Sequence, residues 1–317
     1  MKRILLVICL IVSLGFAQKT IMVFHAGSLS VPFLAMKKAF EAKYPKYKVI
    51  LEAAGSRASA RKITDIHLPA DVMASAAYKV IDNLLIPKYA KFDAHFATNE
   101  MVIAYTSHSK YANKINSKNW PEILLKKDVK IGHSNPNLDP CGYRTMLVIR
   151  LASIYYKKPN LFKNLLGYGN TYKVTDENRN KVIVRPKETD LLGLLEAGAY
   201  DYLFIYKSVA VQHKLKYIEL PNKISLKSKK YSDYYKKVGF KVTGKKPGTW
   251  ILKKGVPMVY GITVVQNKKE NLPRDKAGAV KFVNFVLSAK GQAIMKQNGQ
   301  GVINPPVITG DDSILGR

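Results

Sequence analysis

The feature that most constrains this 317-residue chain is a strand, a tight turn and a helix that follow one another twice near its start. A short β-branched and apolar run over 20–25 predicts the first strand, and Ala26-Gly27-Ser28 predicts the turn. The helix that follows should bury one face, formed by Leu29, Phe33, Met36 and Phe40. The same order returns as a strand at 48–53, the turn Ala54-Gly55-Ser56-Arg57 and a helix over 60–66.

This alternation continues along most of the chain. A third strand at 71–74 and a helix at 76–85 complete the first series. A second series is predicted as strands at 100–106, 129–132, 182–184, 202–205 and 258–265, with helices at 140–156, 190–196, 207–213 and 277–295. Alternating strands and helices are typical of α/β proteins with parallel, doubly wound sheets, which bind ligands at the carboxyl ends of their strands.

Two of these strands, at about 100–106 and 258–265, are placed to cross between two lobes. If the second strand returns the chain to the first lobe, both lobes border one cleft. The predicted boundaries are 18–100 plus 260–317 for lobe 1 and 101–259 for lobe 2.

The first 17 residues have the pattern of a secretory signal peptide: Lys2-Arg3, an apolar run over 4–14, and small residues before a cut after Ala17. We therefore expect an exported, periplasmic or extracytoplasmic protein. Cys9 lies inside the apolar run without a preceding lipobox, which disfavours a lipid anchor. After the cut Cys141 is the single cysteine, so no intrachain disulfide is expected.

The formal net charge of +30 is compatible with nucleic acid, an anionic membrane or an anionic small ligand. The basic residues carry no nucleic-acid-binding motif, and export argues against such a partner, so no nucleic acid is expected. A basic surface that binds anionic polymers or lipids stays open as an alternative.

Ser28 and Ser56 each stand at the head of a predicted helix, where backbone N–H groups and the helix dipole favour anions. A single serine there is first of all an N-cap, but two such turns at strand ends of one lobe favour binding. Asp139 and Glu188 also precede predicted helices. From the local pattern alone each is either a cap or a ligand to a positive centre.

Enzyme signatures are weak. The six histidines have no metal-ligand spacing, and no nucleophile elbow or phosphate-binding loop is present. Cys141 at a helix N-terminus is a candidate nucleophile, although a buried small residue whose N–H faces the cleft is the preferred interpretation.

Six segments in order resemble the archaeal-type tungstate/molybdate-binding proteins, the extracytoplasmic solute-binding components of ABC importers. They are residues 25–30, 52–57, 99–106, 139–144, 185–191 and 204–210. The resemblance extends from about residue 20 to residue 306. It implies an α/β, two-lobed periplasmic-binding-protein fold of type II, with two doubly wound sheets joined by two crossing strands.

The resemblance also implies the site. Asp139 and Glu188 would complete octahedral coordination of the metal inside the bound oxyanion, while Ser28, Ser56, the Cys141 N–H and the Tyr206 hydroxyl would bind its oxo groups. Because sulfur and phosphorus in stable oxyanions do not accept two more oxygens, the two carboxylates would repel sulfate and phosphate.

No cofactor is implied beyond tungstate or molybdate as the transported ligand. The expected partners are this oxyanion and the ABC permease membrane subunits, and the receptor itself is expected to be a monomer. The alternatives are a sulfate or phosphate receptor of the same fold and an exported enzyme that uses Cys141.

Overall fold

The computed structural model describes residues 18–172, 180–244, 248–266 and 276–316, so the predicted signal peptide lies outside the described residues. The described strands are β1 (Lys19–Ala26), β2 (Tyr47–Ala54), β3 (Val72–Ser75), β4 (Phe92–Thr98), β5 (Met101–Tyr105), β6 (Ile131–Ser134), β7 (Val182–Arg185), β8 (Tyr202–Tyr206), β9 (Lys216–Glu219), β10 (Gly239–Thr243), β11 (Trp250–Lys254), β12 (Val259–Val264) and β13 (Gly301–Gly310).

The described α-helices are α1 (Ser30–Lys43), α2 (Ser56–Thr64), α3 (Lys79–Leu84), α4 (Trp120–Leu125), α5 (Pro140–Tyr155), α6 (Leu161–Leu166), α7 (Leu192–Glu196), α8 (Lys207–Gln212), α9 (Ser232–Tyr235), α10 (Lys276–Leu287) and α11 (Ala289–Gln297). Short 3₁₀-helices at Gly27–Leu29 and Thr189–Leu191 precede α1 and α7.

The strands form two main sheets and a separate hairpin. The first sheet has the order β13-β4-β12-β3-β1-β2, the second has the order β7-β6-β8-β5-β9, and β10 and β11 form the hairpin. Strands β1 to β3 are parallel, as are β6 to β8, but β12 and β13 in the first sheet and β5 and β9 in the second pair antiparallel with their neighbours. The prediction of parallel sheets is therefore wrong outside these two groups of three strands.

The chain passes between the sheets along two neighbouring segments. One is Asn99-Glu100, between β4 and β5, and the other precedes β12. They are held together by a hydrogen bond from Asn99 N to Met258 O of 3.1 Å. The predicted crossing strands themselves, β5 and β12, lie inside the second and the first sheet, so the passage occurs just before each of them.

Most predicted helices and strands are present, with shifted ends. Helix α2 begins at Ser56, four residues before the predicted start. The predicted helix over 277–295 is two helices, because Ser288 ends α10 and its hydroxyl accepts a hydrogen bond from Gly291 N at the start of α11. Strands β4, β9 and β13, the hairpin β10–β11, and helices α4, α6 and α9 were not predicted from the sequence.

Each sheet has its own apolar core. The predicted face of the first helix, Leu29, Phe33, Met36 and Phe40, is fully buried against the first sheet. Phe40 meets Phe282 of α10 edge to face at 5.3 Å between ring centroids. Each such side chain contributes about 1.5–3 kcal/mol through burial. Because these cores hold the sheets in place, they also set the positions of the loops at the ends of the strands.

Candidate functional site

A cavity of about 210 Å³ lies where loops of the two sheets face each other. The first sheet contributes the residues just after β1, β2 and β3, at 26–28, 54–56 and Ala76, together with Tyr260 of β12. The second sheet contributes the start of α5 and the ends of β7 and β8, at 139–140, Arg144, Glu188 and Tyr206. Five of the six predicted residues line this cavity.

Neither predicted serine caps its own helix. The residues at the cap positions are Ala26, Leu29 and Gly55, none of which makes a side-chain cap bond. Instead, Ser28 Oγ lies 3.0 Å from the Tyr260 hydroxyl, and Ser56 Oγ accepts a hydrogen bond of 3.0 Å from Ala76 N. The capping alternative is therefore wrong for both serines.

Asp139 does cap a helix, and it makes a second bond as well. It sits before Pro140 at the start of α5, and its Oδ1 accepts a hydrogen bond from Cys141 N at 3.1 Å. Its Oδ2 accepts from Glu188 N at 2.9 Å. The carboxylate, 8% exposed, thus links the start of α5 to the loop after β7. A Cβ at Gly142 would come within 2.3 Å of Ser134 O, so this helix start packs directly on the chain after β6.

The Glu188 side chain makes no cap bond to the 3₁₀-helix that it precedes. Burial, followed by the hydrogen bond and the negative charge of Asp139, raises the pKa of Glu188 to about 8, although the Arg144 charge acts in the opposite direction. At neutral pH burial and the nearby Asp139 therefore favour the protonated form of the Glu188 carboxyl. Two acids in contact inside a cavity are unfavourable unless a proton or a positive centre lies between them.

The Tyr206 hydroxyl, at the end of β8, accepts a hydrogen bond of 2.6 Å from Nη1 of Arg144. A guanidinium only donates, so the single proton of Tyr206 is left for another acceptor. Burial raises the pKa of the Tyr206 phenol well above its ordinary value, and the hydroxyl keeps this proton. The same holds for Ser56: its Oγ already accepts a hydrogen bond from the Ala76 N–H, so its hydroxyl proton is also left for another acceptor.

Cys141 lies next to the cavity without lining it. Its side chain is fully buried, and its thiol donates to Phe204 O at an S···O distance of 3.7 Å. Burial, and then the charges of Asp139 and Glu188, raise the pKa of this thiol well above its ordinary value. A nucleophilic cysteine needs the reverse, an exposed thiol with a lowered pKa. The Cys141 N–H, predicted to bind the oxyanion, here donates to Asp139.

Two buried residues beside the predicted set were not identified from the sequence. Tyr260 lines the cavity, and Asn99 donates to the Tyr260 hydroxyl at 3.0 Å. The available signals were a tyrosine within the apolar strand 258–265 and an asparagine next to a predicted crossing. Neither residue type requires a site at such a position, so the pattern alone could not separate them from core residues.

The described residues include no helix with both the length and the apolar content needed to cross a membrane. The family model described as bacterial extracellular solute-binding protein matches residues 21–300 of the chain.

Among curated relatives, an uncharacterized solute-binding protein of Petrotoga mobilis is 54% identical over 90% of this chain and 84% of its own length. The molybdate/tungstate-binding protein WtpA of Thermococcus kodakarensis is 43% identical over 93% of this chain and 85% of its own length.

Two solved structures share the fold at lower identity. The periplasmic molybdate-binding protein of Azotobacter vinelandii has a TM-score of 0.55 at 15% identity, covering 88% of this chain and 98% of its own. The sulfate-binding protein SubI of Mycobacterium tuberculosis has a TM-score of 0.56 at 13% identity, covering 94% and 90%. The predicted fold class, an α/β periplasmic-binding-protein fold of type II, is confirmed. The sequence matches confirm the predicted resemblance as well, and the chain belongs to the family of extracellular solute-binding proteins.

Proposed function

We propose that this protein is an extracytoplasmic receptor that binds tungstate or molybdate in the cavity between its two sheets and delivers it to an ABC permease. The observation that carries the proposal is the pairing of Asp139 and Glu188 opposite hydroxyl groups that have a proton to donate. The molybdate/tungstate-binding relative from Thermococcus kodakarensis, 43% identical over nearly the whole chain, supports the same ligand class.

The size of the cavity supports a small inorganic ion. Its volume of about 210 Å³ lies below the roughly 300–1,000 Å³ of pockets for organic ligands. It is several times the share of about 30 Å³ that one water has in the liquid. A Cβ at Gly27 or Gly55 would meet no atom within 4 Å, so packing of the chain does not require these glycines. Their place in the lining leaves backbone open to an ion in the cavity.

The proposed coordination uses both acids as ligands to the metal centre of the anion. Each carboxylate oxygen has two lone-pair sites, so Asp139 can keep its bonds to the backbone N–H groups and still ligate the metal. Glu188 would lose its proton and supply the second oxygen. The metal would then replace the proton as the positive centre between the two acids.

Hydroxyl and backbone groups would bind the oxo groups of the anion. Ser28 and Ser56 would donate from the first sheet, and Tyr206 would donate from the second. Ser56 and Tyr206 each already accept a hydrogen bond from a protein N–H group, so their own protons remain for the anion. Ser28 Oγ lies 3.0 Å from the Tyr260 hydroxyl. The Cys141 N–H would join them by sharing its proton between Asp139 and an oxo group.

The same acids would exclude sulfate and phosphate, whose central atoms do not accept further oxygens. For those anions Asp139 and Glu188 would be negative neighbours in a poorly solvated cavity, which costs affinity.

The lobes proposed to close on the ion are residues 18–100 plus 260–317 and residues 101–259. We further propose that the chain is exported after removal of residues 1–17 and acts as a monomer without nucleic acid. The buried, protonated thiol of Cys141 disfavours the alternative of an exported enzyme.

Titration of the mature protein with tungstate, molybdate and sulfate, followed by thermal unfolding and calorimetry, tests the proposal. Tungstate or molybdate should raise the unfolding temperature at concentrations at which sulfate has no effect. Sulfate that displaces tungstate at comparable concentration would instead identify a sulfate receptor.

A further inference from the structure

Asn99 and Tyr260 form a buried hydrogen-bond chain that ends at Ser28 in the cavity. We propose that Asn99 and Tyr260 are positioning residues that leave one hydroxyl proton of the Ser28–Tyr260 pair for the ligand, so that this side of the cavity binds only a ligand oxygen without a proton. The inference rests on the proposed function and deepens it, because it specifies the protonation state of the oxyanion.

The first step is the orientation of the Asn99 amide. Its Oδ1 accepts hydrogen bonds from Glu100 N at 2.9 Å and Ser208 N at 3.5 Å. Since a backbone N–H can only donate, the oxygen must lie on this side. Nδ2 therefore points the other way and donates to the Tyr260 hydroxyl at 3.0 Å and to Ser208 Oγ at 2.8 Å. Asn99 and Tyr260 are each 2% exposed, so water does not replace these bonds.

The second step is a count of protons. Tyr260 and Ser28 carry one hydroxyl proton each, and their oxygens lie 3.0 Å apart. One proton is used in the bond between them, whichever group donates it. Asn99 donates to Tyr260 and so takes up no proton. The second proton of the pair remains, and both residues line the cavity, so a ligand oxygen can accept it.

The same arrangement occurs at two other points of the cavity, which shows that it is a property of the site. Arg144 donates to the Tyr206 hydroxyl, and Ala76 N donates to Ser56 Oγ. In each case a group that can only donate leaves the hydroxyl proton free. The four hydroxyl groups that line the cavity in the described chain therefore have three protons to offer a ligand, one from the Ser28–Tyr260 pair and one each from Tyr206 and Ser56. A fully deprotonated dianion satisfies them in any orientation, whereas the protonated oxygen of hydrogen phosphate finds no acceptor among these hydroxyl groups and must face the two carboxyl groups instead.

Asn99→Asp should reverse the direction of the hydrogen bonds from residue 99 through Tyr260 to Ser28, with little change in the shape of the side chain. Tyr260 can then donate to the new carboxylate and Ser28 to Tyr260, which leaves Ser28 facing the cavity as an acceptor. The added negative charge repels tungstate and hydrogen phosphate alike, so the ratio of their affinities carries the test. Tyr260→Phe removes the same constraint without a charge. Ser208→Ala is the matched control, because it deletes the other partner of Asn99 Nδ2 and does not line the cavity.

The experiment measures tungstate binding by calorimetry and phosphate binding by displacement of tungstate, at one pH near neutrality. We expect Asn99→Asp and Tyr260→Phe to narrow the tungstate-to-phosphate affinity ratio about ten- to hundredfold, the range for one hydrogen bond to a charged group. Ser208→Ala should leave the ratio within about twofold. Thermal unfolding checks that each variant is folded. If Asn99→Asp does not fold, the affinity ratio of Tyr260→Phe alone tests the inference.

An unchanged ratio in folded Asn99→Asp or Tyr260→Phe overturns this inference and leaves the proposed function standing, provided that the unmodified protein binds tungstate or molybdate. If the unmodified protein binds neither anion, the proposed function fails and the inference fails with it.

Discussion

The state of the Glu188 carboxyl predicts that binding of tungstate releases a proton. Burial and the neighbouring Asp139 raise the pKa of Glu188 to about 8. A group with this pKa is about 90% protonated at pH 7 and about 50% protonated at pH 8. A carboxylate must be ionised to ligate a metal. Binding should therefore release most of a proton per ion at pH 7, and this release should decline as the pH rises through about 8.

The number of protons is measured by calorimetric titration in two buffers that differ in their enthalpy of ionisation. The observed binding enthalpy should differ between the buffers in proportion to the protons released. Below pH 8 the affinity should also rise with pH, by up to about tenfold per unit, and level off above it.

Glu188→Gln supplies the control, because it keeps the shape of the side chain but has no proton to lose. In this variant the release should disappear and tungstate should bind more weakly. If the unmodified protein binds tungstate without proton release, or if Glu188→Gln releases as many protons, then Glu188 does not ligate the metal as an ionised group.

Other substitutions at the site have separate expected outcomes. Asp139→Ala should weaken tungstate binding strongly and also lower the free energy of unfolding by about 1 kcal/mol through loss of the helix cap. Asp139→Asn should also lose the affinity, but its one amide oxygen can keep the cap bond from Cys141 N while the bond from Glu188 N is lost. Calorimetry and chemical denaturation separate the two effects, and unchanged tungstate affinity in both would exclude Asp139 as a ligand. Cys141→Ser should bind tungstate almost normally, and the native thiol should react with a thiol reagent only after unfolding, because it is buried and protonated; rapid reaction of the folded protein would contradict this. Without ligand, the free energy of unfolding should fall as pH rises from about 4.5 to about 8, since the folded state binds more protons at Glu188 than the unfolded state does. Denaturation of Glu188→Gln across this range should show a smaller slope, and an equal slope would mean that Glu188 is not the group responsible.

Local patterns were sufficient to predict the elements that carry the site. The spacing of Leu29, Phe33, Met36 and Phe40 predicted the buried face of the first helix. This spacing repeats within a few helical turns, so it can be recognised in a short stretch of sequence. Asp139 before Pro140 predicted a helix start, and the structure has one there with the predicted cap bond. Capping and turn formation depend on neighbouring residues, so one sequence contains the necessary information.

Strand pairing depends on distant residues and was predicted less well. Whether β12 runs parallel or antiparallel to β3 depends on where the chain re-enters the first sheet, and no local pattern records this. Strand β13 contains Pro305 and Pro306, which disfavour a strand in a local pattern, although it pairs with β4 at the edge of the sheet.

The local sequence pattern could not predict the hydrogen-bond partners within the site either. Asn99 meets Tyr260 because the two crossing segments lie side by side, and it meets Ser208 because the start of α8 lies against the Asn99-Glu100 segment. In the sequence these residues are more than one hundred positions from Asn99. Likewise, the contact of Glu188 N with Asp139 spans 49 positions and requires the second sheet to be complete.

The central claim is that two carboxylates enter the coordination sphere of the metal inside the bound anion. X-ray absorption at a tungsten edge, recorded on the protein loaded with one tungstate, counts the oxygens around the metal directly. We predict six oxygens, of which two lie at longer distance, and a return towards four in Asp139→Ala and Glu188→Ala. A regular tetrahedron of four oxygens in the unmodified protein would contradict the claim.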